Sequence, residues 1–258
     1  MRVTITGAAG RIGRHLTPGL AALGHDVRGI DRVSPDEPWA GDVVVAEIGT
    51  DDDALAVALS GADAVVHLAA NPGESSFAEA IDSHLRLPHR VLEGARDAGI
   101  GRVVYASSNH AVGFTPRAAM VPVETRIRPD TFYGFGKAAA EALCSLYHDR
   151  YGMAIACLRI GTFRERPQSR RDLGSWLSVD DATRLVDACL RSPALDFAIV
   201  YGVSANTRRW WDLDPARALG YEPLDDAERW ADEIEAIPPT EDDELDDRYL
   251  GGWLARPG

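Results

Sequence analysis

Seven short apolar runs divide the first 200 residues of the chain, at residues 3–5, 27–30, 43–45, 64–68, 103–106, 154–158 and 198–201. Most of the segments between them carry the 3.6-residue period of a helix. Strands that alternate with helices build a parallel sheet with helices on both faces, because a parallel neighbour is reached only through a crossover. The pattern predicts an α/β fold with a doubly wound sheet. One connection departs from it, since Ser34-Pro35-Asp36-Glu37-Pro38 reads as a loop. After Tyr201 the chain becomes richer in tryptophan, proline and acid, and is expected to end in a small cap.

The first run leads straight into Thr6-Gly7-Ala8-Ala9-Gly10-Arg11-Ile12-Gly13, followed by a helical segment to about Leu23 with Gly24 as its C-cap. Glycines at 7, 10 and 13 permit a tight turn, close approach of backbone N–H groups to a pyrophosphate, and close packing of helix on sheet. The spacing alone is a weak signal. Its context strengthens it: a strand before, a helix after, and a second strand ending in Asp31, 18 residues past Gly13. A carboxylate there accepts both hydroxyls of an adenosine ribose and repels a 2′-phosphate, which favours NAD over NADP. Arg32 beside it softens that preference.

Lys137 is the only lysine; every other fixed cation is arginine. It stands four residues after a tyrosine in Tyr133-Gly134-Phe135-Gly136-Lys137, so on a helix the phenol and the ammonium share one face. A nearby cation lowers a phenol's pKa from its usual value near 10, as a tyrosine acting as general base requires. The fifth run ends in Ser107-Ser108-Asn109-His110. In a doubly wound sheet this strand end faces the same crevice as the glycine turn. Ser108 reads either as a turn residue or as a hydrogen-bond donor to a substrate oxygen. His110 reads equally as a structural histidine or a substrate contact. No histidine-carboxylate series accompanies a nucleophile elbow and no metal-ligand spacing is present, so hydrolase and metalloenzyme readings fall away.

At 258 residues and 45% hydrophobic, the chain suits one large domain. No apolar run approaches the roughly 20 residues of a membrane span, and the first strand leaves no room for a signal peptide. Cys144, Cys157 and Cys189 lack metal-like spacing and read as reduced, buried thiols of a cytoplasmic protein. The net charge is −13, but residues 225–248 hold 12 acids against Arg229 and Arg248. The acidity is therefore mostly a C-terminal feature, a solvated face, and the lack of a basic surface argues against a nucleic-acid partner.

Together, Gly7, Gly10, Gly13, Asp31, Ser108, Tyr133 and Lys137 resemble the extended short-chain dehydrogenase/reductase family over essentially the whole chain. The resemblance implies a Rossmann fold in a single domain: residues 1–160 would mainly bind NAD, and residues 161–258 would mainly bind substrate and form the cap. It implies that Ser108 positions the substrate oxygen, Tyr133 exchanges its proton, and Lys137 holds the nicotinamide ribose. Arg11 and Ile12 would flank the pyrophosphate, and Leu68-Ala69-Ala70 would pass under the cofactor. It also implies a homodimer through helices flanking the crevice, where Ala138, Ala139 and Ala142 would allow close packing.

Several segments look like the uronate dehydrogenase branch: Ala106-Ser107-Ser108-Asn109-His110, Arg128-Pro129-Asp130, Arg159-Ile160-Gly161, Ser175-Trp176-Leu177-Ser178 with Asp180-Asp181, and Trp210-Trp211-Asp212. By that resemblance Arg171 holds the carboxylate of a small anionic sugar, and Asn109, His110 and Thr162 contact its hydroxyls. Arg171 also reads as a surface residue of the loop holding Arg164, Arg166 and Arg170, which suits a phosphate as well. A short-chain sugar-phosphate dehydrogenase is the second reading, and a sugar epimerase or a non-catalytic NAD sensor stands behind it. The chain departs from the branch at three places. Asn71-Pro72 replaces a substrate-binding serine, with Ser75 and Ser76 further on; Glu47-Ile48 replaces an aspartate-leucine pair; and His84 stands where a helix asparagine is common.

Overall fold

The computed structural model describes residues 1–35, 41–74 and 76–256. In chain order the elements are β1 (Arg2–Thr6), α1 (Gly13–Ala22), β2 (Asp26–Asp31), β3 (Asp42–Val45), α2 (Asp52–Leu59), β4 (Ala64–His67), α3 (Phe77–Ile81), α4 (Leu87–Asp97), β5 (Arg102–Ser108) and α5 (Phe132–Tyr151). They continue with β6 (Ala154–Ile160), β7 (Thr162–Phe163), α6 (Asp172–Ser175), β8 (Trp176–Leu177), α7 (Val179–Arg191), β9 (Phe197–Gly202), α8 (Asp214–Ala218), α9 (Ala231–Glu235) and α10 (Glu241–Arg248). All seven expected strands form. They make one parallel sheet in the order β3-β2-β1-β4-β5-β6-β9, while β7 and β8 pair separately. β5 runs two residues further than expected, so Ser107 and Ser108 are its last residues.

The order reverses between β1 and β4, and the crevice beyond the carboxyl ends of these strands is where such a sheet binds ligands. One face is covered by α1 and α7, whose Leu16, Leu20, Leu185 and Leu190 share a buried cluster with Val3 and Ile5 of β1. The other is covered by α2, α4 and α5 through Leu55, Leu59, Val91, Ala140 and Tyr147. Both faces of β4 are therefore buried, which suits its apolar Ala64-Val65-Val66; His67, which ends the strand, is buried too. Residues 34–35 are not helical; the rest of the expected loop at 36–38 lies outside the described residues. No described helix is long and apolar enough to cross a membrane.

The residues after Tyr201 form short helices rather than a second sheet. Their acids are tied to arginines elsewhere: Glu233 to Arg166, Glu228 and Glu235 to Arg208, and Asp247 to Arg117. The acidic run is thus mostly at the surface, with Asp246 buried within it, and it also clasps the arginine-rich loop.

Candidate active site

The glycine turn is held by local geometry. Gly7 has φ +72°, a left-handed conformation that favours glycine, and a Cβ there would lie 2.6 Å from Ala69 N. A Cβ on Gly13 would lie 2.5 Å from Gly7 O. The peptides of this turn and of Leu68-Ala69-Ala70 thus close to a separation that only glycine allows. Asp31 ends β2 and is locked on the rim: Oδ2 accepts from Ala9 N at 2.9 Å and Oδ1 from Val33 N at 3.2 Å. Gly7, Gly10, Arg11, Ile12, Gly13, Asp31, Leu68, Ala69 and Ala70 all line one cavity of about 1070 Å³ that continues to Ser108, Asn109, His110, Tyr133 and Lys137. Its length and chemistry fit a dinucleotide, with a carboxylate at one end and a hydroxyl-phenol pair at the other. Glu47 and Ile48 also line it, beside Asp31. Arg90, which the sequence did not single out, donates to Ile48 O at 3.1 Å and fixes that wall.

At the other end, Thr131 caps α5 by accepting from Gly134 N at 2.9 Å, which sets Tyr133 in the first turn and Lys137 one turn below. Lys137 is 4% exposed and donates to Ala106 O at 2.6 Å. Burial lowers its pKa to about 8, against the opposing pull of Cys144 and Glu141. Tyr133 differs from the expectation. Burial is the largest influence and raises its pKa, a contact with Ser108 opposes the rise, and Asp130 adds to it. Lys137 faces the ring at 5.6 Å from its centroid rather than bonding the hydroxyl. The ammonium is engaged by the Ala106 carbonyl, and desolvation prevails at the phenol.

His84 occupies a single π-helical turn, Asp82–Arg86, between α3 and α4. A Cβ on Gly136 would lie 2.6 Å from its Cβ, so a glycine in the middle of α5 makes room for the imidazole. His67 and His84 are both held near pKa 3, first by burial and then by the charge of Lys137, and are therefore neutral at physiological pH. His67 Nε2, the Tyr105 hydroxyl and both ring nitrogens of His84 have no hydrogen-bond partner among the described residues.

The remaining expected contacts divide in two. His110 lines the cavity, and its Nδ1 meets Asp130 Oδ2 at 2.7 Å, which orients the ring. Asp130, quoted only as part of a motif, is therefore the residue that positions His110, and its side chain is fully buried. Asn109 lines the cavity too, but its Nδ2 donates to Leu250 O at 3.1 Å. Thr162 and Arg171 do not line it. Thr162 Oγ1 is 2.9 Å from Ser175 Oγ, and Arg171 Nη2 donates to Leu250 O. Arg171 is 9% exposed, its Nη1 has no partner among the described residues, and burial lowers its pKa, partly offset by Asp246 and Asp172. The neighbouring arginines are engaged: Arg166 with Glu233, and Arg170 with Glu235 O and Ile237 O, both at 2.9 Å. Asn71 lines the cavity, whereas Ser76 caps α3 through a reciprocal pair with Glu79. Ser75 lies outside the described residues.

Residues 3–164 match the NAD dependent epimerase/dehydratase family. The uronate dehydrogenase of Pseudomonas syringae pv. tomato is 36% identical over 260 residues, covering 100% of this chain and 94% of that protein. The NAD-dependent glucose-6-phosphate dehydrogenase of Haloferax volcanii is 34% identical over 263 residues, covering 91% of this chain and 97% of that protein. Among solved structures, a mutant uronate dehydrogenase from Agrobacterium tumefaciens complexed with NAD has a TM-score of 0.90 at 33% identity, covering 98% of this chain and 96% of that one. With a family match over more than half its length and relatives of this identity along nearly all of it, the chain belongs to the NAD-dependent epimerase/dehydratase family.

Proposed function

We propose that the chain is an NAD-dependent dehydrogenase that oxidises the anomeric carbon of a hexuronate, galacturonate or glucuronate, to the aldarolactone. The observation that carries this reading is Arg171: a buried guanidinium whose Nη1 has no hydrogen-bond partner among the described residues, and whose nearby carboxylates, Asp246 and Asp172, only partly offset its burial. A buried guanidinium with an unused donor is costly, and a substrate carboxylate supplies that partner through two parallel hydrogen bonds. Relatives named as uronate dehydrogenases support the same substrate class.

In this reading the glycine turn, Asp31 and Leu68-Ala69-Ala70 hold the cofactor, and Lys137 its nicotinamide ribose. Bound NAD supplies the acceptor for a hydride leaving the anomeric carbon. Ser108 donates a hydrogen bond to the anomeric oxygen, and Tyr133, as phenolate, removes its proton. Lys137 turns from Ala106 O toward the site, where its charge offsets the burial that raises Tyr133. His110, aimed by Asp130, contacts a ring hydroxyl. Replacing Tyr133 with Phe is expected to lower kcat on galacturonate by a factor on the order of 10² to 10⁴ while NAD affinity changes little. Retained turnover contradicts the assignment.

A sugar-phosphate dehydrogenase is the second reading, favoured by the Haloferax volcanii relative. It ranks lower because Arg166 and Arg170, two of the loop arginines it would use, already hold the acidic C-terminal segment.

A further inference from the structure

The C-terminal segment after α10 stands between Arg171 and the cavity. Leu254 lines the cavity wall and Arg171 does not. Between them, the carbonyl of Leu250 accepts from both Asn109 Nδ2 and Arg171 Nη2, two groups that the resemblance assigns to substrate. No other residue among those described is held by both. The segment is anchored through its backbone: Leu250 N donates to Thr115 O at 2.9 Å, Gly251 N to Gly113 O at 2.9 Å, and Trp253 N to Asp246 Oδ1 at 2.9 Å. It turns at Gly251-Gly252, where Gly252 has φ +66° and a Cβ on Gly251 would overlap the Asp130 carboxylate.

We propose that the Leu250 carbonyl is a place-holder for the anionic group of the substrate, and that residues 249–254 are a gate which the substrate displaces to reach Arg171. This rests on the functional reading above. A carbonyl is a weaker partner for a guanidinium than a carboxylate, because it is neutral and takes one arm of the fork, whereas a carboxylate adds opposite charge and accepts two parallel hydrogen bonds. The buried Arg171 keeps Nη1 without a partner while Leu250 occupies Nη2, so the closed arrangement satisfies only part of its fork. A carboxylate engages both arms. Asn109 is released in the same movement and becomes free to donate to a sugar hydroxyl. Substrates without an anionic group have nothing to exchange for the carbonyl, so the gate selects for charge before any chemistry occurs.

Hydrogen exchange of the full chain, read by mass spectrometry on the peptide spanning residues 249–254, tests this. NADH replaces NAD so that no turnover occurs, and galacturonate and galactose are compared at equal concentration. Turnover of galacturonate with NAD is measured on the same preparation. The proposal predicts at least tenfold faster exchange of this peptide with galacturonate, no change with galactose, and unchanged exchange in β1 and β4. Arg171→Ala is expected to speed exchange of the peptide without any sugar, since it removes one of two side-chain anchors. Turnover of galacturonate with unchanged or slowed exchange overturns the gate and leaves the functional reading standing. Absence of both turnover and binding overturns the functional reading and the gate with it.

Discussion

Beneath the candidate site, Glu141 of α5 and Arg159 of β6 form an ion pair in which each side chain is 2% exposed. Arg159 Nε meets Glu141 Oε1 at 2.9 Å and Nη2 meets Oε2 at 2.8 Å, while Ser107 Oγ donates to Oε1 at 2.6 Å. Replacing Glu141 with Ala leaves the guanidinium buried without its carboxylate, donating to Val123 O and facing Tyr201. Breaking one side of a buried pair costs about 3–5 kcal/mol, whereas replacing both partners by apolar groups is often neutral. For a chain of this size that corresponds to a fall in melting temperature of about 6–10 °C. The double variant Glu141→Met with Arg159→Met is expected to recover at least half of the loss, the remainder reflecting the Ser107 and Val123 groups left without partners. Urea and thermal denaturation of the three proteins check this. A single-variant loss below about 1 kcal/mol, or a double variant no more stable than the single, refutes the assignment of a buried pair whose halves depend on each other.

Two further outcomes follow from the site. Because Lys137 is the only lysine, ε-labelled lysine gives one side-chain NMR signal, expected to titrate near pH 8; a midpoint near the ordinary value of 10.5 contradicts its burial. The depressed pKa means that the unfolded chain binds more protons than the folded one between about pH 8 and 10.5, so Lys137 penalises folding fully below pH 8 and progressively less above it. Lys137→Met is therefore expected to be stabilised relative to the parent at pH 7, with the difference shrinking as pH rises toward 10.5. Asp31→Asn is expected to weaken NAD by roughly tenfold and to improve NADP, since the repulsion of a 2′-phosphate is removed. An unchanged NAD-to-NADP ratio by initial rates counts against Asp31 as the selector.

The strands, the glycine turn and Asp31 were legible because each depends on neighbours a few residues away. The alternation of apolar runs reports burial on both faces, and Gly7 to Gly13 reports a turn whose partners, apart from Ala69, are mostly within the motif. What was not legible depends on distant chain. Asp130 aims His110 across 20 residues, and Leu250 meets Asn109 across 141. Nothing in the local sequence of Arg171 signals that its fork faces a C-terminal carbonyl, nor that Thr162 turns to Ser175. The direction of the Tyr133 shift failed for a different reason. The four-residue spacing correctly brings the ammonium to the phenol's ring, but spacing carries no measure of burial, and burial is the larger influence. Nor does the local sequence show that Arg166 and Arg170 of the arginine-rich loop meet partners 65 to 67 residues further on.

In the proposed function a sugar carboxylate completes the fork of Arg171 while Ser108 and Tyr133 act on the anomeric oxygen. The most direct test of that function is the initial rate of NADH formation from NAD with galacturonate, glucuronate, glucose 6-phosphate and glucose, expressed as kcat/KM. A preference for the uronates over glucose of at least about 10²-fold is expected, from the roughly 3 kcal/mol that a buried charged pair is worth when one partner is missing. Equal or better use of glucose, or a preference for glucose 6-phosphate, contradicts it.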